Sequence, residues 1–208
     1  MTKYFDDYFK SPAKQKRSKD RVEKILDAVE ELANDRPNQK LDVRSISSRA
    51  HISIGALYHH FPSIDNLFTS LFIRRINRTQ LHTIQLIDEC EPSLTLEQFA
   101  DRFIDHAFST WDRGDLRIKK IAIRFFYRNA EDPELLYTFI NPLIPHFKAF
   151  LDRNTSDTFR AIDKEEWFLL LRTTQAAVAS PFIEQQEIAG SDLHRKFAKE
   201  CFCRLFSK

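Results

Sequence analysis

Residues 46–67 read ISSRAHISIGALYHHFPSIDNL and gather short polar and aromatic donors in one place. A phenol and two imidazoles in succession, Tyr58, His59 and His60, follow Ser53 and Gly55. Such groups donate hydrogen bonds to the oxygens of a polyanion, and a glycine among them allows a partner to come close to the backbone. Tyr and His at this spacing could equally cap a helix or plug a small core, and Gly55 could be a packing glycine. Elsewhere Asp101, Asp105 and His106 fall on adjacent faces of one helical stretch and could be drawn as a metal or acid–base cluster. Cys201 and Cys203 could hold a metal, but no second Cys or His pair lies at suitable spacing. There is no His-Glu-x-x-His, no Gly-x-Ser-x-Gly and no phosphate loop, so the expectation is no enzyme, no metal and no cofactor.

Those residues must be positioned by helices. Only 3 Gly occur in 208 residues, which argues against hairpin-rich β folds and dinucleotide fingerprints and for an all-α chain. Val22, Ile25, Leu26, Val29, Leu32 and Ala33 recur at i, i+3, i+4, predicting an amphipathic helix from Ser18 that ends near Pro37. Asp42 and Ser53 read as N-caps of two short helices joined through His51 and Ile52, the spacing of a helix-turn-helix. Ser63 caps a long helix to about Glu89. Further helices are predicted over Thr95–Trp111, Leu116–Asn129, Asp132–Arg153 with kinks at Pro142 and Pro145, Lys164–Gln186 with a bend near Pro181, and Asp192–Phe206.

The net charge of +2 hides an uneven distribution. Residues 1–78 hold 15 Lys and Arg against 10 Asp and Glu, and the rest hold 17 against 20. Of the 19 Phe, 14 lie in the second part. A basic N-terminal module joined to a larger, acidic, aromatic-rich one points to a polyanion partner for the first, with a solvated surface as the plain alternative. Met1–Lys10 has no apolar signal region, no stretch is apolar enough to span a membrane, and three cysteines fit reduced thiols, so a cytoplasmic setting without membrane contact is expected.

Residues 46–67 resemble the DNA-binding domain of TetR-family transcriptional regulators. Leu57, Tyr58, His60, Phe61, Ser63, Asp65 and Leu67 stand where that family's pattern wants them. The resemblance implies an arm over 1–17, a helix-turn-helix domain over 18–72, and an effector-binding and dimerisation domain over 73–208. It implies double-stranded DNA as partner, a homodimer, and a small-molecule effector that releases a repressor from a palindromic operator. An architectural or division-control protein of the same fold without a ligand switch is the alternative. Ile46, Ala50, Ile52, Leu57 and Phe61 would form the small core. Ser53, Ile54, Gly55, Ala56, Tyr58, His59 and His60 would face groove and backbone, with Lys16, Arg17, Lys19 and Arg44 as phosphate contacts.

Three departures from the family pattern matter. His51 replaces the usual turn glycine, which asks His for a left-handed backbone. Ile64 stands where a phosphate-binding Lys is common. The recognition helix also lacks Arg, Lys, Asn and Gln, so base reading would lean on Tyr58, His59, apolar contact and DNA shape.

For the effector, ring density over Phe99, Phe103, His106, Phe108, Trp111, Phe125, Phe126 and Tyr127 suggests an apolar or aromatic ligand, with Arg124, Arg128 or His106 as polar anchors. Ordinary core is the competing use of those rings. Trp167, Leu170, Leu171, Thr174, Ala177, Val178, Phe197, Cys201 and Leu205 on the last two helices are the expected dimer surface, or else intramolecular core.

Overall fold

The computed structural model describes residues 16–35, 41–112 and 140–208. Eight α-helices are described: α1 Lys16–Asp35, α2 Val43–Arg49, α3 Ile54–His60, α4 Ile64–Asp88, α5 Leu96–Asp112, α6 Ile144–Arg153, α7 Glu166–Ile183 and α8 Asp192–Phe206. A 3-10 turn, Asn141–Leu143, leads into α6. The helix expected over Leu116–Asn129 and the arm before residue 16 lie outside the described residues. The chain divides into two compact units; of the described residues, 16–35 and 41–75 form one and 76–112 and 140–208 the other. The helix α4 supplies residues to both.

In the first unit, the apolar stripe of α1 is buried as its periodicity requires, with Ile25 and Val29 fully inaccessible. Ile46, Leu57, Phe61, Leu67 and Leu71 close the same core, and Ile52 is only half-buried. Ion pairs then tie the helices together. Arg49 of α2 reaches Glu31 at 3.1 Å and Asp35 at 2.9 Å on α1. Arg74 of α4, nearly buried, meets Glu23, Asp27 and Glu30 at 2.9, 2.7 and 2.6 Å, and Arg75 meets Glu30 at 3.0 Å. A guanidinium so enclosed is satisfied only by partners arranged around it, so the pairing fixes the register of α4 on α1.

The second unit is built around phenylalanine. Phe99 of α5 is inaccessible to solvent and stacks on Phe150 with ring centroids 4.6 Å apart, on Phe103 at 5.9 Å and on Phe202 at 5.9 Å. Phe202 stacks in turn on Phe206 at 4.3 Å. Offset ring pairs of this kind add to simple area burial. Thr95 and Gln98 make a reciprocal capping box at the start of α5, with bonds of 3.0 and 3.3 Å, and Thr158 Oγ1 accepts from the Leu96 N–H at 2.8 Å. At the far end of α4, the Arg153 guanidinium donates to the carbonyls of Ile87, Asp88 and Cys90 at 2.9, 2.8 and 3.3 Å, satisfying groups that a helix end leaves open.

Within its described part, the kinked helix expected to end at Arg153 is interrupted by the 3-10 turn Asn141–Leu143, between helical Ile140 and α6. Pro142 lies in the 3-10 turn and Pro145 in the first turn of α6, where a missing N–H costs no hydrogen bond. Two prolines so close favour a fresh start over a kink. Pro181, by contrast, stays inside α7. Among the described residues no helix is long and apolar enough to cross a membrane.

Candidate nucleic-acid interface

The geometry of α2 and α3 follows from four side chains and one strained residue. Asp42 caps α2, its Oδ1 accepting from the Ser45 N–H at 2.8 Å. Ser53 caps α3, its Oγ accepting from the Ala56 N–H at 3.1 Å. Ser63 caps α4 through the Asn66 N–H at 3.1 Å. Between α2 and α3 the backbone turns at His51, whose φ is 53°, in the left-handed region expected from the missing glycine. The Ile52 N–H reaches the Ser47 carbonyl at 3.0 Å and the His51 N–H the Ser48 carbonyl at 3.2 Å. That is the paired arrangement of a Schellman stop, completed without glycine. A short α3 results, pinned by the fully buried Leu57 and followed directly by the buried Phe61.

Its other side is open. Tyr58 and Ile54 are 43% and 42% accessible, and Ser53, Gly55 and His59 are exposed with them. Ala56 and His60 are half-buried. The rings of His59 and His60 meet edge to face with centroids 5.3 Å apart. Burial first, then His59 and Arg21, hold the His60 imidazole below the usual histidine range, so it is neutral near pH 7. Arg44 is exposed on α2. Residues Lys16, Arg17 and Lys19 lie on the first turn of α1, and their side chains are outside the described set. The side chain that sequence reasoning overlooked is Arg21, which acts on His60 across a gap no local motif reveals.

A cap, a left-handed turn and a second cap thus present a seven-residue helix with its polar and small side chains outward. The family model for bacterial regulatory proteins of the tetR family matches residues 25–71, the segment that builds this arrangement. That segment is a TetR-family DNA-binding domain. A curated relative, the HTH-type transcriptional repressor KstR of Rhodococcus jostii, is 35% identical over 60 residues, which is 29% of this chain. The chain spans 28% of the length of that relative in the match. Solved TetR-family structures resemble it over most of its length. One from Mesorhizobium loti has a TM-score of 0.60 at 15% identity, covering 93% of this chain and 100% of its own. Another, from Marinobacter aquaeolei, has a TM-score of 0.54 at 14% identity, with 92% and 98% covered. Likeness at that identity speaks for the fold of both units.

In the second unit, those of the expected effector residues that the structure describes do not converge. Phe99 and Phe103 are interior rings of the phenylalanine core, and Phe108 packs on His194 and Phe182, so ring density there reflects core packing. Arg124, Phe125, Tyr127 and Arg128 lie outside the described residues; Trp111 is half-buried at the end of α5. An open cleft of about 530 Å³ lies instead against α4 and α5, lined among the described residues by His82, Gln85, Leu86, Glu89, Cys90, Arg102 and His106. Of the expected residues that are described, His106 belongs to it and Phe99, Phe103 and Trp111 do not. The drawn acid–base cluster also disperses: Asp101 pairs with Lys199 and Asp105 with Arg195, both across to α8. His106 turns to Thr83, with Nε2 3.0 Å from its Oγ1.

The expected dimer residues separate as well. Trp167, Leu170, Leu171, Thr174 and Val178 are buried within the single chain, because they are the face of α7 that meets the phenylalanine core, and a second chain cannot reach them. Phe197 is 61% accessible and continues through half-buried Cys201 and Leu205 along α8. Leu193, which heads the apolar stripe of α8, and Leu169 on α7 are each 64% accessible as well.

Proposed function

We propose that this TetR-family chain is a homodimeric repressor that reads a palindromic DNA operator through α3 and releases it when a small effector occupies the helical unit. The observation that carries the DNA reading is the two-sided character of α3: Leu57 is fully buried while Ile54, Gly55, Tyr58 and His59 stand outward on a helix capped by Ser53. A short helix so anchored suits the major groove, where phosphate contacts set position and a few side chains read base edges. Tyr58 and His60 act as phosphate donors, His59 reaches base edges, and Arg44 adds a phosphate charge. The Rhodococcus relative, alike over 60 residues, is a repressor by name, and this supports the same sense of regulation here.

Dimerisation is supported by the exposed Leu193 and Phe197, continued by half-buried Cys201 at i, i+4 spacing, with exposed Leu169 on α7. Large apolar side chains left open on adjacent helices of one unit suit an isologous four-helix contact. The effector reading is supported by the cleft against α4 and α5, whose volume is in the range of small-molecule sites. Since α4 carries residues of both units, a displacement at the cleft end would be passed to the DNA-binding end through one continuous helix.

Selection of duplexes from a random pool by the purified chain, followed by footprinting, tests the proposal. Enrichment of an inverted repeat with two protected half-sites, about one helical turn or more apart, is expected. Binding that enriches no sequence and only tracks salt would contradict it.

A further inference from the structure

The cleft of the second unit differs chemically from the apolar pocket that the aromatic content suggests. One wall is α4 and its end, with His82, Gln85, Leu86, Glu89 and Cys90; the other is α5, with Arg102 and His106. The acids beside Arg102 on α5 are engaged elsewhere, Asp101 with Lys199 and Asp105 with Arg195. The Arg102 side chain instead lies against the Cys90 thiol, which burial pushes up and keeps protonated near neutral pH. Its positive charge is therefore not cancelled by a thiolate. Among the described residues no carboxylate lies within ion-pair distance of it.

His106 adds a neutral hydrogen-bonding group. Thr83 Oγ1 donates its one proton to the Thr79 carbonyl at 2.8 Å, so at 3.0 Å it accepts from His106 Nε2, and Nδ1 is left as an acceptor. Burial, and then His82, hold His106 below the usual histidine range, which agrees with that neutral form. Glu89 is the one carboxylate among the described lining residues, its Oε1 accepting from Gln85 Nε2 at 2.7 Å. Leu86 supplies an apolar surface between these polar ends.

We propose that this cleft is a site for a small organic carboxylate, its acid group paired with Arg102, its apolar body on Leu86, and its hydrogen-bond donors taken by Glu89 and His106. A guanidinium meets a carboxylate with two parallel N–H bonds, which is what sets this ligand class apart from a neutral isostere. The inference rests on the reading of the second unit as the effector-responding part, and its test separates the two.

Acetate, octanoate and 4-hydroxybenzoate, each against its own amide, and inorganic phosphate are titrated calorimetrically into the full chain and into Arg102→Gln and Arg102→Lys. At least one carboxylate should bind saturably, about tenfold or more tighter than its amide and than phosphate. Arg102→Gln should erase that preference with the thermal midpoint unchanged, and Arg102→Lys should retain part of it. Equal binding of acid and amide, equal binding of phosphate, no saturable binding by any of the three acids, or an unaffected Arg102→Gln would each overturn the proposal. Release of a selected duplex is scored separately. Carboxylate binding without release leaves the site standing and removes the effector role. Release by an amide that ignores Arg102→Gln removes the carboxylate and keeps the effector role.

Discussion

A methyl group placed on Gly55 would meet only Ser53 Oγ, at 3.9 Å. Among the described residues nothing requires glycine there, which favours close approach by a partner over a packing role. Gly55→Ala is expected to raise stability by up to about 1 kcal/mol through helix propensity while weakening DNA binding, as read by thermal denaturation and duplex titration. Stabilisation with unchanged affinity would remove Gly55 from the interface. His60 yields a signed pH dependence. Its folded-state value lies below the ordinary 6.5, so its contribution to the stability of the DNA-free fold is complete above about pH 6.5 and shrinks as pH falls through the folded value. A phosphate against the ring acts in the opposite sense, favouring the imidazolium. Affinity should therefore rise as pH falls below about 6.5, and His60→Gln should lose that part of the rise at fixed salt. An identical slope in the variant would place His60 away from the phosphates. Much at this scale was legible in the sequence: the left-handed His51, the buried Leu57 and the outward Tyr58 follow from residue type and spacing. Arg21 was not, because its influence on His60 depends on how α1 lies beside α3, a matter of tertiary placement.

The caps at Asp42, Ser53 and Ser63 could be read in advance because an N-cap is a local competition between one side chain and the first free N–H groups. Helix α3 has only seven residues, so its cap is a large share of what holds it. Ser53→Ala should cost about 1 kcal/mol and reduce DNA affinity, and Ser53→Asp should restore the stability. Chemical denaturation measures the first effect, and a loss well below that figure would mean that Leu57 alone fixes the helix. Apolar spacing marks which side of α7 and α8 is buried or paired, but not whether the cover is the same chain or another. That is why Trp167 and Phe197 looked alike in the sequence and differ in the structure. The aromatic content of α5 misled for a related reason: Phe99 and Phe103 find their partners on α6 and α8, so their density builds a core. The cleft was invisible because Arg102 and Glu89 come together only when α4 and α5 pack, and neither belongs to a sequence motif.

On the whole-molecule scale, the exposed residues of α8 carry the proposal of two-fold assembly. Phe197→Glu places a charge at the centre of the proposed contact, and the expected result is a folded monomer by sedimentation, with affinity for a palindrome reduced by about tenfold or more. A dimer that persists in this variant would move the contact elsewhere. Basic and acidic residues are divided between the two parts of the chain in the sense that a DNA-facing unit and a separate sensing unit require, 15 Lys and Arg against 10 acids in residues 1–78 and 17 against 20 beyond. The central claim is that α3 grips DNA through its outward face, and equilibrium binding of the wild-type chain and Tyr58→Ala to one selected palindrome tests it most directly. With salt held fixed and dimerisation confirmed for both, the account predicts affinity lower by about fivefold or more in the variant, the loss of one phosphate hydrogen bond or more. Equal affinity of the two proteins for that palindrome would contradict it.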